Sequence, residues 1–359
     1  YQRALALVLE SVTRLHPVTV PLDKGLGMVL AEDVYANCDL PPVDHSAMDG
    51  YAFAAHHQDT RETDLREVGF VPAGGHVTER INAGEAVRIM TGAPLPDGCD
   101  TVVPIEDVEQ LDGDRIRLRQ KPRHGKHVRC RGEEFRLGER ILVAGNLLDA
   151  GAIGLLAAAT VTMVTVYPAP RVAVLSTGDE LCELDQIQAN DKHVNSNAHF
   201  VAARLRENGC IPIPLGIAKD NPDDLERCLR RGLDADLLVT SGGTSVGDCD
   251  NVHDVLSAIG FEQKFRKVAI KPGKSVLFGM IGRLPVFGLP GNPTATAATF
   301  ELFVLPALRR LAGHQNPPAP RLNARLAGPV TGGGGAAAGG GACQRFIWGR
   351  LHVEVGQLS

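Results

Sequence analysis

The densest chemistry in the chain lies in Asp236-Leu-Leu-Val-Thr-Ser-Gly-Gly-Thr-Ser-Val-Gly-Asp-Cys-Asp250. Leu237 to Thr240 reads as a short buried strand. It breaks at Gly242-Gly243, where glycine accepts a positive φ at little cost. The hydroxyls of Ser241, Thr244 and Ser245 and the backbone N–H groups of such a turn line a concavity that binds anions. Asp248 and Asp250 follow at once. An anion cradle beside carboxylates points to a phosphorylated ligand bridged by a divalent metal. The competing reading is a plain flexible turn after a strand.

Four further stretches carry polar groups at comparable density. Ser176-Thr-Gly-Asp-Glu-Leu181 is a second strand-to-loop turn, with Asp179 and Glu180 on it. Asp44-His-Ser-Ala-Met-Asp49 crowds acids, an imidazole and a hydroxyl between two prolines and Gly50; an ordinary loop whose acids cap turns fits equally. Lys267, Lys271 and Lys274 gather around a Pro-Gly turn, which suits an oxyanion or, alternatively, a solvated hairpin. Gly288-Leu-Pro-Gly-Asn-Pro293 ends a strand and opens a helix, with Asn292 as N-cap and Pro293 at the first helical position.

The elements that must hold these turns are legible in outline. Tyr1 to Leu15 has apolar residues at helical spacing. Met28 to Tyr35 fits a helix end or a strand. Val68 to Val108 alternates β-branched residues with Gly and Pro and predicts a β-rich module containing the Thr91-Gly92 turn. Arg117 to Arg131 is locally basic, a solvated face or an anion-binding rim. Leu147 to Ala159 predicts a helix. After Tyr167-Pro-Ala-Pro170, strands at 171–175, 211–215 and 237–240 alternate with helices at 199–208, 222–233 and 252–259. That alternation predicts a parallel sheet with helices on both faces. Ligands of such sheets bind beyond the carboxyl ends of the strands, where both acidic turns fall. A helix from Asn292 to about Leu311 points its positive end at the same edge.

Bulk properties narrow the function. Two or three domains are expected from 359 residues. A net charge of −5 and an aromatic fraction of 4% do not predict a nucleic-acid partner. No apolar run has the length of a membrane span. Eight scattered cysteines without a C-x-x-C pair predict reduced thiols and a cytoplasmic location. The chain begins at Tyr1, and its natural start is expected upstream. Thr331 to Ala342 holds only Thr, Gly and Ala and reads as a linker.

In order, Asp44-His-Ser-Ala-Met-Asp-Gly-Tyr51, Met90-Thr-Gly-Ala-Pro94, Ser176-Thr-Gly-Asp-Glu-Leu181, Ser241-Gly-Gly-Thr-Ser-Val-Gly247, Lys271-Pro-Gly-Lys274 and Leu289-Pro-Gly-Asn-Pro293 resemble the molybdopterin molybdenumtransferase family, the MoeA-like proteins that include the gephyrin E domain. Six motifs in family order are specific where one would not be. The resemblance implies an α/β multidomain chain that dimerises. Its parts are a helical and extended domain (1–44 with 131–167), a β-rich module (45–130), a three-layer α/β molybdopterin-binding domain (168–313) and a small C-terminal β-barrel (318–359). It implies that molybdate is inserted into adenylylated molybdopterin, with cleavage of the pyrophosphate bond and release of AMP, assisted by Mg2+.

The same resemblance implies site residues. Glu180, Asp220 and Asp250 would hold the cation. Ser176, Thr177, Gly178, Ser241, Gly242, Gly243, Thr244, Ser245 and Gly247, with Pro290 and Pro293, would line the pterin site. Lys267, Lys271 and Lys274 would hold molybdate. Asp49, Thr91, Arg129 and Glu134 would complete the catalytic cleft from the β module, from the partner subunit. Contact with the molybdopterin adenylyltransferase is a further implied partnership. The chain departs from the family pattern at Glu134, where aspartate is expected, at Ser275 and Ala295, where proline and serine are frequent, and before Cys343-Gln-Arg-Phe346, where a Gly-Arg is expected. Two other functions share part of this pattern: the adenylyltransferase of the preceding step, and a non-catalytic scaffold. The first needs only the α/β unit; the second has no need of the acids and lysines, which are retained.

Overall fold

The structure, a computed structural model, describes residues 1–55, 64–75, 79–121, 123–186, 192–243, 251–318 and 343–346. Its largest unit is a six-stranded sheet in the order Ile211–Ala218, Arg171–Thr177, Leu237–Ser241, Leu284–Leu289, Leu277–Ile281, Phe261–Arg266. The first four strands are parallel. Leu277–Ile281 alone runs against the others, antiparallel to both its neighbours, so the all-parallel expectation is corrected to a mixed sheet. Leu277–Ile281 and Leu284–Leu289 are joined through Gly282 (φ 58°), a connection too short for the crossover that parallel strands need.

Successive strand residues face opposite sides. Val172, Val174, Leu237, Val239, Phe278 and Phe287 enter one core with Val201, Leu205, Phe300, Phe303 and Leu308. Ala173, Leu175, Leu238, Leu277 and Val286 enter the other, with Leu225, Leu229, Val252 and Leu256. The unit is therefore three-layered, with a central sheet buried on both sides. Its helices begin where the sequence places caps. Asn195 opens Ser196–Glu207, Asn221 opens Pro222–Arg230 and Asn292 opens Pro293–Thr299, each accepting a backbone N–H on its side-chain oxygen. The last helix continues through a π-helical stretch, Phe300–Val304, into Leu305–Leu311.

The N-terminal helix, Gln2–Ser11, is shorter than the apolar spacing predicts, because Val12 is already extended. Its buried Leu5 and Val8 join the first core of the α/β unit, and Tyr1 meets Phe303 edge-on. This helix thus packs on the core of the α/β unit. The helical and extended domain has its own core around Leu30, Phe135, Leu148, Leu156 and Val166. Val18–Pro21 and Val29–Leu30 flank Met163–Tyr167 there, and Val34–Tyr35 pairs with Arg140–Leu142. The predicted helix at 147–159 is Ala150–Ala158, capped by Asp149.

The β module is a second six-stranded sheet, in the order Thr101–Pro104, Gly50–Phe53, Glu85–Ile89, Asp64–Val71, Arg115–Leu118, Val108–Gln110. Its two faces bury separate apolar clusters. At the other end of the chain, Gln344–Arg345 pairs in parallel with Ile270–Lys271. The rest of the expected C-terminal barrel, 319–342 and 347–359, lies outside the described residues. Among the described residues no helix is long and apolar enough to cross a membrane.

Candidate functional site

A cavity of about 360 Å³ opens at the carboxyl ends of the parallel strands. Thr177, Glu180, Ser241, Gly242 and Pro293 line it, as the sequence reading expects for that edge. So do Leu181, His193, Val194, Asn195, Ser196, Asn197 and Gly291. The sequence reading places Asn195 to Asn197 only as a helix cap. It does not single out His193, which reaches the cavity because Leu181–Cys182 pairs in parallel with His193–Val194. No local pattern announces a two-residue pairing of that kind.

The floor of the cavity is tightly built. Ser176, Thr177, Asn195 and Ser241 are only 1–3% exposed. The Ser176 hydroxyl donates to Asn195 Oδ1 at 2.7 Å, and Asn197 Nδ2 donates to Ser241 Oγ at 2.9 Å and to the Gly291 carbonyl at 2.8 Å. Thr177 Oγ1 is buried and, among the described residues, has no hydrogen-bond partner. A buried hydroxyl left unmatched costs free energy unless a ligand or water meets it. Gly242 has φ 92°, and a Cβ there would stand 2.4 Å from the Thr177 carbonyl oxygen. The turn can approach the neighbouring strand only because that Cβ is missing. At Gly178 a Cβ would lie 2.5 Å from the Glu180 carboxylate. Pro290 is fixed next to the cavity by the Thr296 hydroxyl, which donates to its carbonyl at 2.5 Å.

The acids lie at the strand tips. Glu180 is exposed and faces the cavity. The Asp179 N–H donates to Asp220 Oδ2 and the Asp220 N–H to Asp179 Oδ1, both at 3.3 Å. Asn251 Nδ2 donates to the Asp220 carbonyl at 3.1 Å. Among the described residues no three His, Cys, Asp or Glu side chains converge as a complete metal site. The expected third carboxylate, Asp250, lies outside the described residues, as do Thr244, Ser245, Gly247 and Asp248. The lysines do not line the cavity. Lys267, Lys271 and Lys274 are exposed on a turn seated against the adjacent helix. At Gly273 in that turn a Cβ would stand 2.4 Å from Thr299 Cγ2.

The β-module residues form a separate group. Asp49 Oδ1 accepts from the Thr91 N–H at 2.7 Å and from the Thr91 hydroxyl at 2.8 Å. These bonds, the backbone one first, hold the Asp49 carboxyl below the usual carboxylate range, and the charge of Arg88 adds to them. Arg129 sits opposite His45 in a short antiparallel pairing, and its guanidinium donates to Glu134 Oε1 at 2.5 Å. That bond, with the attraction of Glu134 and Glu133, raises the Arg129 pKa. Nearby, the Arg131 N–H donates to Asp44 Oδ1 at 2.7 Å. Among the described residues no hydrogen bond or ion pair joins this group to the cavity.

Two family models match the chain: "MoeA N-terminal region (domain I and II)" over residues 1–160, and "Probable molybdopterin binding domain" over 173–310. A molybdopterin molybdenumtransferase from a Nostoc species is 39% identical over 295 residues, covering 80% of this chain and 67% of that protein. Molybdopterin molybdenumtransferase 2 of Mycobacterium tuberculosis is 35% identical over 349 residues, covering 92% and 83%. Two crystal structures of the molybdopterin biosynthesis MoeA protein of Pyrococcus horikoshii match with TM-scores of 0.76 and 0.74. Their identities are 32% and 29%, and they cover 86% and 88% of this chain and 79% and 80% of their own.

Proposed function

Because the chain belongs to the molybdopterin molybdenumtransferase family, we propose that it catalyses the metal-insertion step of molybdenum cofactor biosynthesis. The substrates are adenylylated molybdopterin and molybdate. Molybdenum enters the dithiolene, the pyrophosphate bond is cleaved and AMP leaves. The observation that carries this reading is the cavity at the strand ends, where the unpartnered Thr177 hydroxyl and Ser241 stand beside Glu180. A pyrophosphate needs donors of that kind and a positive charge to offset its own.

In this reading the hydroxyls of Thr177, Ser241, Thr244 and Ser245 and the Gly242–Gly243 and Gly247 backbone hold the phosphorylated pterin. Ser176 and Gly178 shape the wall behind them, and Pro290 and Pro293 the facing turn. Glu180, Asp220 and Asp250 would hold Mg2+. The donor set fits, because all three are hard oxygen ligands and Asp220 stands at a strand tip of this edge. When bound, the cation neutralises phosphate charge. Lys267, Lys271 and Lys274 hold molybdate as point charges.

Asp49 and Thr91, with Arg129 and Glu134, complete the site from the β module of a second subunit, which makes the chain a homodimer. The two bonds from Thr91 fix the Asp49 carboxylate and lower its pKa, so it acts as an oriented negative charge and hydrogen-bond acceptor rather than as a strong base. The enzyme works in the cytoplasm and receives its substrate from a molybdopterin adenylyltransferase. The test is AMP release from adenylylated molybdopterin in the presence of Mg2+ and molybdate. Asp250→Ala is expected to reduce it at least hundredfold while the thermal midpoint holds. Release by that variant at the unmutated rate would remove Asp250 from the site.

A further inference from the structure

Two turns contribute to the cavity wall. One follows the strand Leu237–Ser241 and the other follows Leu284–Leu289. The strands pair as far as Ser241 opposite Leu289, and the Gly242 N–H then reaches the Leu289 carbonyl at 3.2 Å. Beyond that point, among the described residues, the hydrogen bonds linking the two turns are those of Asn197. Its single Nδ2 donates to Ser241 Oγ and to the Gly291 carbonyl. One amide thus spends both protons, one on each turn. Asn197 can do this because it sits in the first turn of Ser196–Glu207, fixed by the buried cap Asn195.

The direction of the Asn197–Ser241 bond has a chemical consequence. Ser241 Oγ accepts from Asn197 and, among the described residues, donates to nothing. Its own proton remains available in the cavity. Ser176, one strand away, has already committed its proton to Asn195. The wall therefore presents the hydroxyl protons of Ser241 and Thr177 to a ligand that can only accept, as an ionised phosphate oxygen does.

We infer that Asn197 is a positioning residue. It braces the Ser241 turn against the Gly291 turn and orients the Ser241 hydroxyl as a donor to an anionic oxygen of the substrate. The inference rests on the function proposed above and adds a residue to it. A carboxylate cannot replace the amide, because it has no proton to donate and would stand against the Gly291 carbonyl.

The test is a double-mutant cycle on the KM for adenylylated molybdopterin, using Asn197→Ala, Ser241→Ala and the double variant. Each single substitution is expected to raise KM about tenfold, the value of one or two lost hydrogen bonds, with kcat within about threefold. If Asn197 acts through Ser241, the double variant is no weaker than Asn197→Ala, and Asn197→Asp behaves like Asn197→Ala. Additive losses, or an unchanged KM in Asn197→Ala, would overturn the inference. Amide hydrogen exchange without substrate supplies a second readout. Exchange at 241–243 and 291 is expected to quicken about tenfold in Asn197→Ala while the β module is unaffected; unchanged exchange overturns the brace. Absence of AMP release by the unmutated protein counts against the proposed function alone, and the exchange experiment then decides the role of Asn197.

Discussion

At the strand ends of the α/β unit Ser176, Thr177, Asn195 and Ser241 are buried, whereas Asp49 and Thr91 of the β module, and Glu134 just beyond it, face solvent. The first group rests on the core itself, since each strand residue is flanked by neighbours pointing into one of two apolar layers. Ser176, Asn195 and Ser241 are hydrogen-bonded within it, and the buried Thr177 hydroxyl is left, among the described residues, to face the cavity. The second group is held by hydrogen bonds at a surface, and those from Thr91 hold the Asp49 carboxyl below the usual carboxylate range. A buried wall fixes shape; an exposed charged cluster is free to meet a second surface. The difference teaches that a substitution in the first region should cost folding and binding together, and one in the second should cost turnover alone.

The comparison breaks most sharply if the β-module group serves the cavity of its own chain. Asp49→Ala and Asp250→Ala should each be nearly inactive. Mixed and allowed to re-pair at random, they should recover about a quarter of the unmutated AMP release, because half the dimers are hybrids and each hybrid carries one intact site. No recovery would mean that both groups act within one subunit.

A more severe structural test falls on Gly242→Ala. A Cβ against the Thr177 carbonyl, at a left-handed φ, should cost about 2–4 kcal/mol in a denaturation curve and abolish substrate binding. Asp49→Ala should instead leave the midpoint nearly where it was. A large midpoint loss in Asp49→Ala would erase the distinction. Next in size, Lys271→Ala should raise the molybdate concentration for half-maximal AMP release about tenfold. An unchanged titration would take Lys271 out of the site.

The smallest effect is expected from Thr91→Val. It removes the hydroxyl donor but keeps the backbone one, so the Asp49 pKa should rise part of the way to its ordinary value, measurable by carboxyl-carbon NMR. The sign follows from the depressed folded value. The contribution of Asp49 to stability is present above the unfolded carboxylate pKa of about 3.9 and is lost as pH falls through the lower folded one. Thr91→Val moves that loss to higher pH, still below the neutral range.

Particular elements show why some of this was legible from residues alone. Asn292-Pro293 is a cap and first-turn pair whose preference is local, and the helix begins there. The three-layer plan follows from apolar strands too continuous for one buried face. The antiparallel pairing of Leu277–Ile281 with Leu284–Leu289 was not legible, because a buried apolar strand reads the same in either direction. Asn197 was legible as a helix-start residue but not as a brace, since its two acceptors lie 44 and 94 residues away.

The family, the order of the motif-bearing turns and the chemical types at the strand ends could be read from residue identity and short spacing alone. Only the tertiary structure decided which groups share a cavity: Thr177, Glu180, Ser241 and Gly242 together, Lys271 on a neighbouring turn, and Asp49 with Thr91 on another sheet. Residue types carry chemistry, but distance between them is set by which strands pair, and pairing is a property of the whole core.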